Sequence, residues 1–189
     1  MPYSLDIKLT AFEYLLSQMM AWHEAETGSA VNDLSVLKVS KLTFFTTAAD
    51  CRTLEDSFLV TEVFDNYVAM PYGHVESNIY SQLKAKAGQL SNIQITKSSA
   101  TYLPDGSKES ILEVLAPYPE IVQRIDDAHQ KLRSINPKLI TMKPFYLVDL
   151  SHTWFSWKKN YAAATTSGRY SESIPAVDII TEEKYYFLY

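Results

Sequence analysis

The stretch Phe64–Leu83, FDNYVAMPYGHVESNIYSQL, decides how the rest of the chain is read. An apolar run stops at Met70-Pro71-Tyr72-Gly73 and a helical pattern follows at once. Pro71 fixes its own φ and pushes Met70 into extended backbone, so no helix runs through this point. Gly73 offers a position where positive φ carries no steric cost. Beyond it Val75, Ile79 and Leu83 recur at i, i+4 and i+8 with Tyr80 beside them, which predicts a helix beginning near His74 or Val75. Glu76 then falls in the first turn and Lys84 and Lys86 in the last, each matched to its end of the helix dipole. The expected unit is extended segment, tight corner, helix. Such a corner either joins two core elements or, through free N–H groups at the helix start, offers an anion site.

Upstream, Leu9, Phe12, Leu16, Met19, Met20 and His23 follow helical spacing and predict a first amphipathic helix, with His23 at its core boundary. A loop over 27–32 precedes a second helix capped by Asp33 and running to about Ala49, with Leu34, Leu37, Phe44, Phe45 and Ala48 as its buried stripe. Lys41 lies near that stripe, and its stem is expected to cover core surface while its ammonium reaches solvent. Cys51–Glu55 reads as linker, and periodicity leaves Phe58–Tyr67 open between a short strand and a short helix.

Downstream, Gly88 is a plausible helix C-cap. Ile93 and Ile95, then Thr101 to Leu103 before Pro104-Asp105-Gly106, suggest a two-stranded excursion that must lean on helices. Ser107–Leu115 reads as a short helix and Pro119 to about Ser134 as a longer one, striped by Ile121, Ile125, Ala128 and Leu132, with Glu120/Arg124 and Asp127/Lys131 as i,i+4 pairs. Lys143–Leu150 is expected to be another short helix running into Ser151-His152-Thr153-Trp154-Phe155-Ser156-Trp157. Residues 165–173 are loop, and 174–189 should dock on the core. The fold class expected is mainly α, a compact single-domain helical fold over 1–189 with a small β-hairpin or short strands.

Composition narrows the function. With 47% hydrophobic and 21% charged residues, 189 residues suffice for one sizeable core. A net charge of −5 lacks the concentrated basic face of a general nucleic-acid binder, so nucleic acid is an unlikely partner. The single Cys51 excludes an intramolecular disulfide and fits a reducing compartment. No apolar run approaches the roughly 18 residues of a membrane span, and MPYSLDIKLT carries no leader pattern. The expectation is a cytoplasmic protein with no membrane partner.

Chemistry by motif is sparse. His23, His74, His129 and His152 are scattered, without HExxH or CxxC spacing, so no metal is expected; no Gly-rich phosphate loop occurs, so no cofactor is expected. Asp149, Ser151 and His152 sit too close in sequence to converge as a triad, and Cys51 has no adjacent base. No catalytic residue is assigned and no enzyme is predicted. In Leu150–Trp157 a histidine is bracketed by large rings: either His152 bonds a helix end while Trp157 fills the core, or the segment binds a partner.

Three segments together resemble one family. Val39–Phe45, with Lys41, Leu42 and Phe45, resembles a K-L-x-Y/F helical signature. Tyr67–Tyr80, with Tyr67, Pro71, Gly73, Val75 and Tyr80, resembles F-x-A-x-x-Y-G-P-V…Y, and Leu150–Trp157 resembles L-S-H…W. In this order, over roughly residues 12–157, they are similar to the Panacea (SocA-like) antitoxin domain, and 174–187 is similar to the apolar close of such proteins. Two departures stand out: His74 where the family commonly has Pro, and Met70 where many members have Trp. The resemblance implies a mostly helical antitoxin of a toxin–antitoxin system, without catalysis, whose partner is a cognate protein toxin bound by direct contact. One relative is described as a proteolytic adaptor, so a protease is a further partner to consider. Tyr72, His74, His152 and Trp154 are the candidate partner-binding residues. A different class is a nucleic-acid-binding regulator, with the region 75–86 and the 93–103 hairpin as a winged-helix-like unit and Lys84, Lys86 and Lys97 on phosphates. A hydrolase built on His152 would need a nucleophile about 3 Å from that ring.

Overall fold

The computed structural model describes residues 3–188, in which helices dominate and strands are few and short. Helix α1 (Leu5–Thr27) starts where Ser4 accepts a hydrogen bond from the Ile7 amide and ends at Gly28, whose φ of +71° closes the last turn. It runs further at both ends than its apolar stripe and is buried on most sides, since α2 (Val36–Asp50), α4 (Lys108–Leu115) and α5 (Pro119–Ile135) all pack on it. The cap of α2 is Ser35 rather than Asp33, which instead accepts from the Lys38 ammonium. Leu37 leaves the expected stripe and is half-buried. Thr43, Thr46 and Thr47 are buried in α2 because each hydroxyl returns to the carbonyl four residues back.

The undecided segment before the corner is both things in turn. One turn of π-helix covers Leu59–Val63, and strand β1 (Tyr67–Met70) follows. The corner is then a β-hairpin: β2 (Gly73–Glu76) pairs antiparallel with β1 from Tyr67↔Glu76 to Met70↔Gly73, with Pro71-Tyr72 as its two-residue loop. The helix expected from His74 or Val75 begins only at Ser77, as α3 (Ser77–Ala85). The stripe Val75, Ile79, Leu83 mixed a strand residue with two helix residues, and the ladder wins because it satisfies backbone groups that an earlier helix start would leave open. Glu76 is accordingly a cap, accepting from the Ile79 amide at 2.7 Å, rather than a first-turn residue.

The excursion is present as β3 (Ile93–Ile95) and β4 (Ala100–Tyr102). It leans on α1 through Glu13, whose buried carboxylate accepts from the Asn92 and Ile93 amides and the Asn92 side chain. In α5 the expected stripe is buried, but the expected i,i+4 pairs do not form. Arg124 reaches Asp50 and Asp56 instead, and Lys131 caps α2 at the Ala49 carbonyl. Helices α6 (Pro144–Thr153) and α7 (Phe155–Thr166) meet at Trp154. Strand β5 (Glu172–Ser173) adds to the free edge of β1, and α8 (Ala176–Thr181) leads into a tail that buries Tyr186 in the one continuous core. Among the described residues, no helix is long and apolar enough to cross a membrane.

Candidate functional site

The three segments of the resemblance meet at one buried junction, where α2, the β1–β2 hairpin and the α6–α7 corner pack on one another. Lys41, in the middle of α2, is fully buried and its Nζ donates to the His74 carbonyl. Its ammonium therefore does not reach solvent as expected. Among the described residues no carboxylate pairs with it, and burial pulls its pKa from 10.5 down to about 7.

Gly73 is required there on two counts. Its φ is +96°, and a Cβ at this position would stand 2.3 Å from Ser151 Oγ and 3.1 Å from Lys41 Nζ. The next residue, His74, is stacked on Phe44 with ring centroids 3.6 Å apart and bridges two hydroxyls, Nδ1 to Ser151 Oγ at 2.8 Å and Nε2 to Ser156 Oγ at 2.7 Å. Ser151 Oγ also accepts the His74 backbone N–H, and the neutral ring donates to one of the two serine hydroxyls and accepts from the other. Burial, then the nearby Lys41 and His152, hold the His74 pKa well below the ordinary value and keep the ring neutral. A proline, which the resemblance would place here, can make neither bond.

Around this core sit the aromatic residues. Trp154 is fully buried, lies edge-on to Phe44 at 4.9 Å and donates Nε1–H to the Tyr185 carbonyl, pinning the tail. Trp157, expected to fill the core, is only half-buried; it donates to the Met70 carbonyl at 2.8 Å and stacks between His152 and Tyr161. The core role passes to Trp154. His152 is half-buried, and its Nε2 has no hydrogen-bond partner among the described residues. Its pKa is lowered, first by burial and then by Lys41.

Two of the four candidate partner-binding residues, His74 and Trp154, are therefore core residues with no exposed surface. His152 is partly accessible. Tyr72 is 55% exposed on the hairpin loop and meets Phe145, 63% exposed, edge-to-face at 6.2 Å. Of the other motif residues, Leu42, Phe45, Tyr67 and Val75 are buried, and Pro71 and Tyr80 half-buried.

Chemically, the junction is a sealed polar network. Lys41, His74, Ser151 and Ser156 are each closed to solvent, so no substrate reaches the Ser151–His74 pair in this conformation. Ser151 bonds His74 rather than its neighbour His152, so the Asp149–Ser151–His152 cluster does not assemble. Among the described residues no group of three or more His, Cys, Asp or Glu is placed to hold a metal ion. Cys51 is buried, and burial pushes its thiol up to about 11. Residue patterns gave no hint of Ser156 as a partner for His74, because the contact joins positions 82 apart in sequence. No family model, curated protein or solved structure matches this chain.

Proposed function

We propose that this chain is an antitoxin that neutralises a partner protein toxin by direct contact and carries out no catalysis of its own. The reading is supported by one observation above all: the three motif segments that resemble the Panacea domain, separated by dozens of residues, pack together around Lys41, Gly73 and Ser151. Segments assembled this way are positioned to preserve one scaffold rather than to form three unrelated turns. On that scaffold the hairpin loop presents Tyr72 beside Phe145, an aromatic pair of the kind enriched at protein interfaces. The test is co-expression with the product of the adjacent reading frame. Antitoxin function predicts that expressing the neighbour alone arrests growth, that this chain restores it, and that the two co-purify. Arrest without rescue or complex formation would reject the proposal.

A further inference from the structure

Between the first turn of α2, the end of α3, strand β3 and the start of α6 lies an open groove of about 960 Å³. Its floor is Val36, Leu37, Tyr80, Leu83, Ile95 and Phe145, and its rim carries Lys84, Lys97 and Lys143. No carboxylate lines it, although the chain as a whole carries 22 acidic against 17 basic residues. Among the described residues none of these three lysines makes an ion pair. Lys84 instead lies over the Tyr80 ring at 5.6 Å. The other lysines placed near acids find them, as Lys8 does with Asp65 and Lys159 with Asp178. Positive charge is thus segregated around an apolar trough, with Phe145 continuing it to Tyr72.

We infer that this groove docks an acidic segment of a partner protein that presents apolar side chains on one face. Apolar anchors fill the floor between α2 and α3, and carboxylates beside them meet Lys84, Lys97 and Lys143. Charge complementarity of this sort sets partner choice and association rate more than raw affinity. The floor argues against a nucleic acid: four of its six residues are aliphatic, so stacking platforms are few, and three lysines on a chain of net charge −5 make a short basic track. The inference deepens the neutralisation reading by naming the surface and the chemistry of the partner, and it rests on that reading only for the partner being a toxin.

The probes are fluorescent synthetic peptides in which leucine and phenylalanine at helical spacing are flanked by glutamate, a matched set flanked by lysine, a glutamate–serine set without apolar anchors, and oligothymidine. Anisotropy with the full chain should show the acidic apolar peptides binding at Kd values of about 1–100 µM, at least ~10-fold tighter than either control set. Binding should weaken ~10-fold or more in the Lys84→Glu/Lys97→Glu/Lys143→Glu variant and in Phe145→Ser, with unchanged circular dichroism. Lys97→Glu alone, on the exposed hairpin loop, should give a smaller loss if the triple variant misfolds. Equal binding of acidic and basic peptides, indifference to charge reversal, no binding up to about 1 mM, preference for oligothymidine, or a dimer abolished by the triple variant would each overturn it. The two readings fail separately. A triple variant that still rescues growth removes the groove but leaves neutralisation, whereas selective peptide binding by a wild-type chain that rescues nothing leaves the groove alone.

Discussion

Replacing Lys41 by methionine isolates the cost of the charge at the centre of the junction. The side chain is fully buried, its Nζ bonds the His74 carbonyl, and burial lowers its pKa from 10.5 to about 7. The folded-state value lies below the unfolded one, so between these limits the unfolded chain binds more protons and stability rises with pH. With these two values, keeping the proton-linked cost in the fold amounts to about 4 kcal/mol at pH 7 and about 2 kcal/mol at pH 9. Methionine has similar length and no charge, so the Lys41→Met protein lacks this dependence. The wild type should therefore gain about 2 kcal/mol relative to Lys41→Met between pH 7 and pH 9, at a slope approaching about 1.4 kcal/mol per pH unit. Urea unfolding of both proteins at pH 7, 8 and 9 measures it. Cys51, Tyr67 and Tyr186, whose pKa values burial raises, oppose the trend at high pH but are common to both proteins and cancel in the difference. A stability difference constant to about 0.5 kcal/mol over this range would show that Lys41 stays fully charged in the fold, and the argument from burial would be wrong.

Gly73→Ala should cost well above the 1–2 kcal/mol of positive φ alone, about 3 kcal/mol or more, because its Cβ also collides with Ser151 Oγ; a thermal melt within a degree of wild type would contradict the close approach. Ala87→Gly should stabilise by about 1 kcal/mol. Ala87 holds φ +49° in a helix ending where the Gly88 amide reaches the Leu83 carbonyl and the Ala87 amide the Lys84 carbonyl, a position glycine occupies without strain. Denaturant midpoints decide it. Glu13→Gln leaves an amide facing three N–H donors and should cost about 2–3 kcal/mol, with faster hydrogen exchange at the Asn92 and Ile93 amides than elsewhere. On the acid side, burial lowers the His129 pKa to about 4, below its unfolded value, so its contribution is complete above pH 6.5 and is lost as pH falls toward 4; His129→Gln should flatten that limb of the stability profile.

What sequence patterns revealed follows from the range of the forces involved. The stripe of α5 and the short helix α4 were readable because helical propensity and amphipathic spacing act within one or two turns. The hairpin was misread as a helix start because Val75 satisfies both periods over so short a stretch, and its pairing with Val68 is a contact between strands. The charges were misread for a similar reason. Glu120 and Asp127 are the local partners of Arg124 and Lys131, yet Asp50, Asp56 and the Ala49 carbonyl, all brought by α2 and its exit, lie in better geometry. For the candidate site, the three motif segments do meet at one junction, but the exposure expected of His74 and Trp154 was wrong. A histidine next to a glycine corner reads as a surface residue, and only the approach of Phe44, Ser151 and Ser156 from other elements buries it.

The junction therefore does something a purely apolar contact would not. A buried lysine without a counter-ion is costly, and His74 bound to two serines gains little over a well-packed hydrophobic cluster, so stability alone does not explain these residues. What they do fix is geometry. The Lys41–His74 bond sets the hairpin on α2, the two His74–serine bonds set it on the α6–α7 corner, and Trp157 holds the Met70 carbonyl just before the loop. With those restraints in place Tyr72 meets Phe145, and Phe145 lines the lysine-rimmed groove. Changes buried at Gly73 or His74 are thus connected through the hairpin to the one exposed aromatic residue shared by the loop contact and the groove floor. On this reasoning a Gly73→Ala protein that remains folded should lose acidic-peptide binding along with its hairpin geometry, whereas Lys97→Glu should weaken the binding by a smaller factor and keep the geometry.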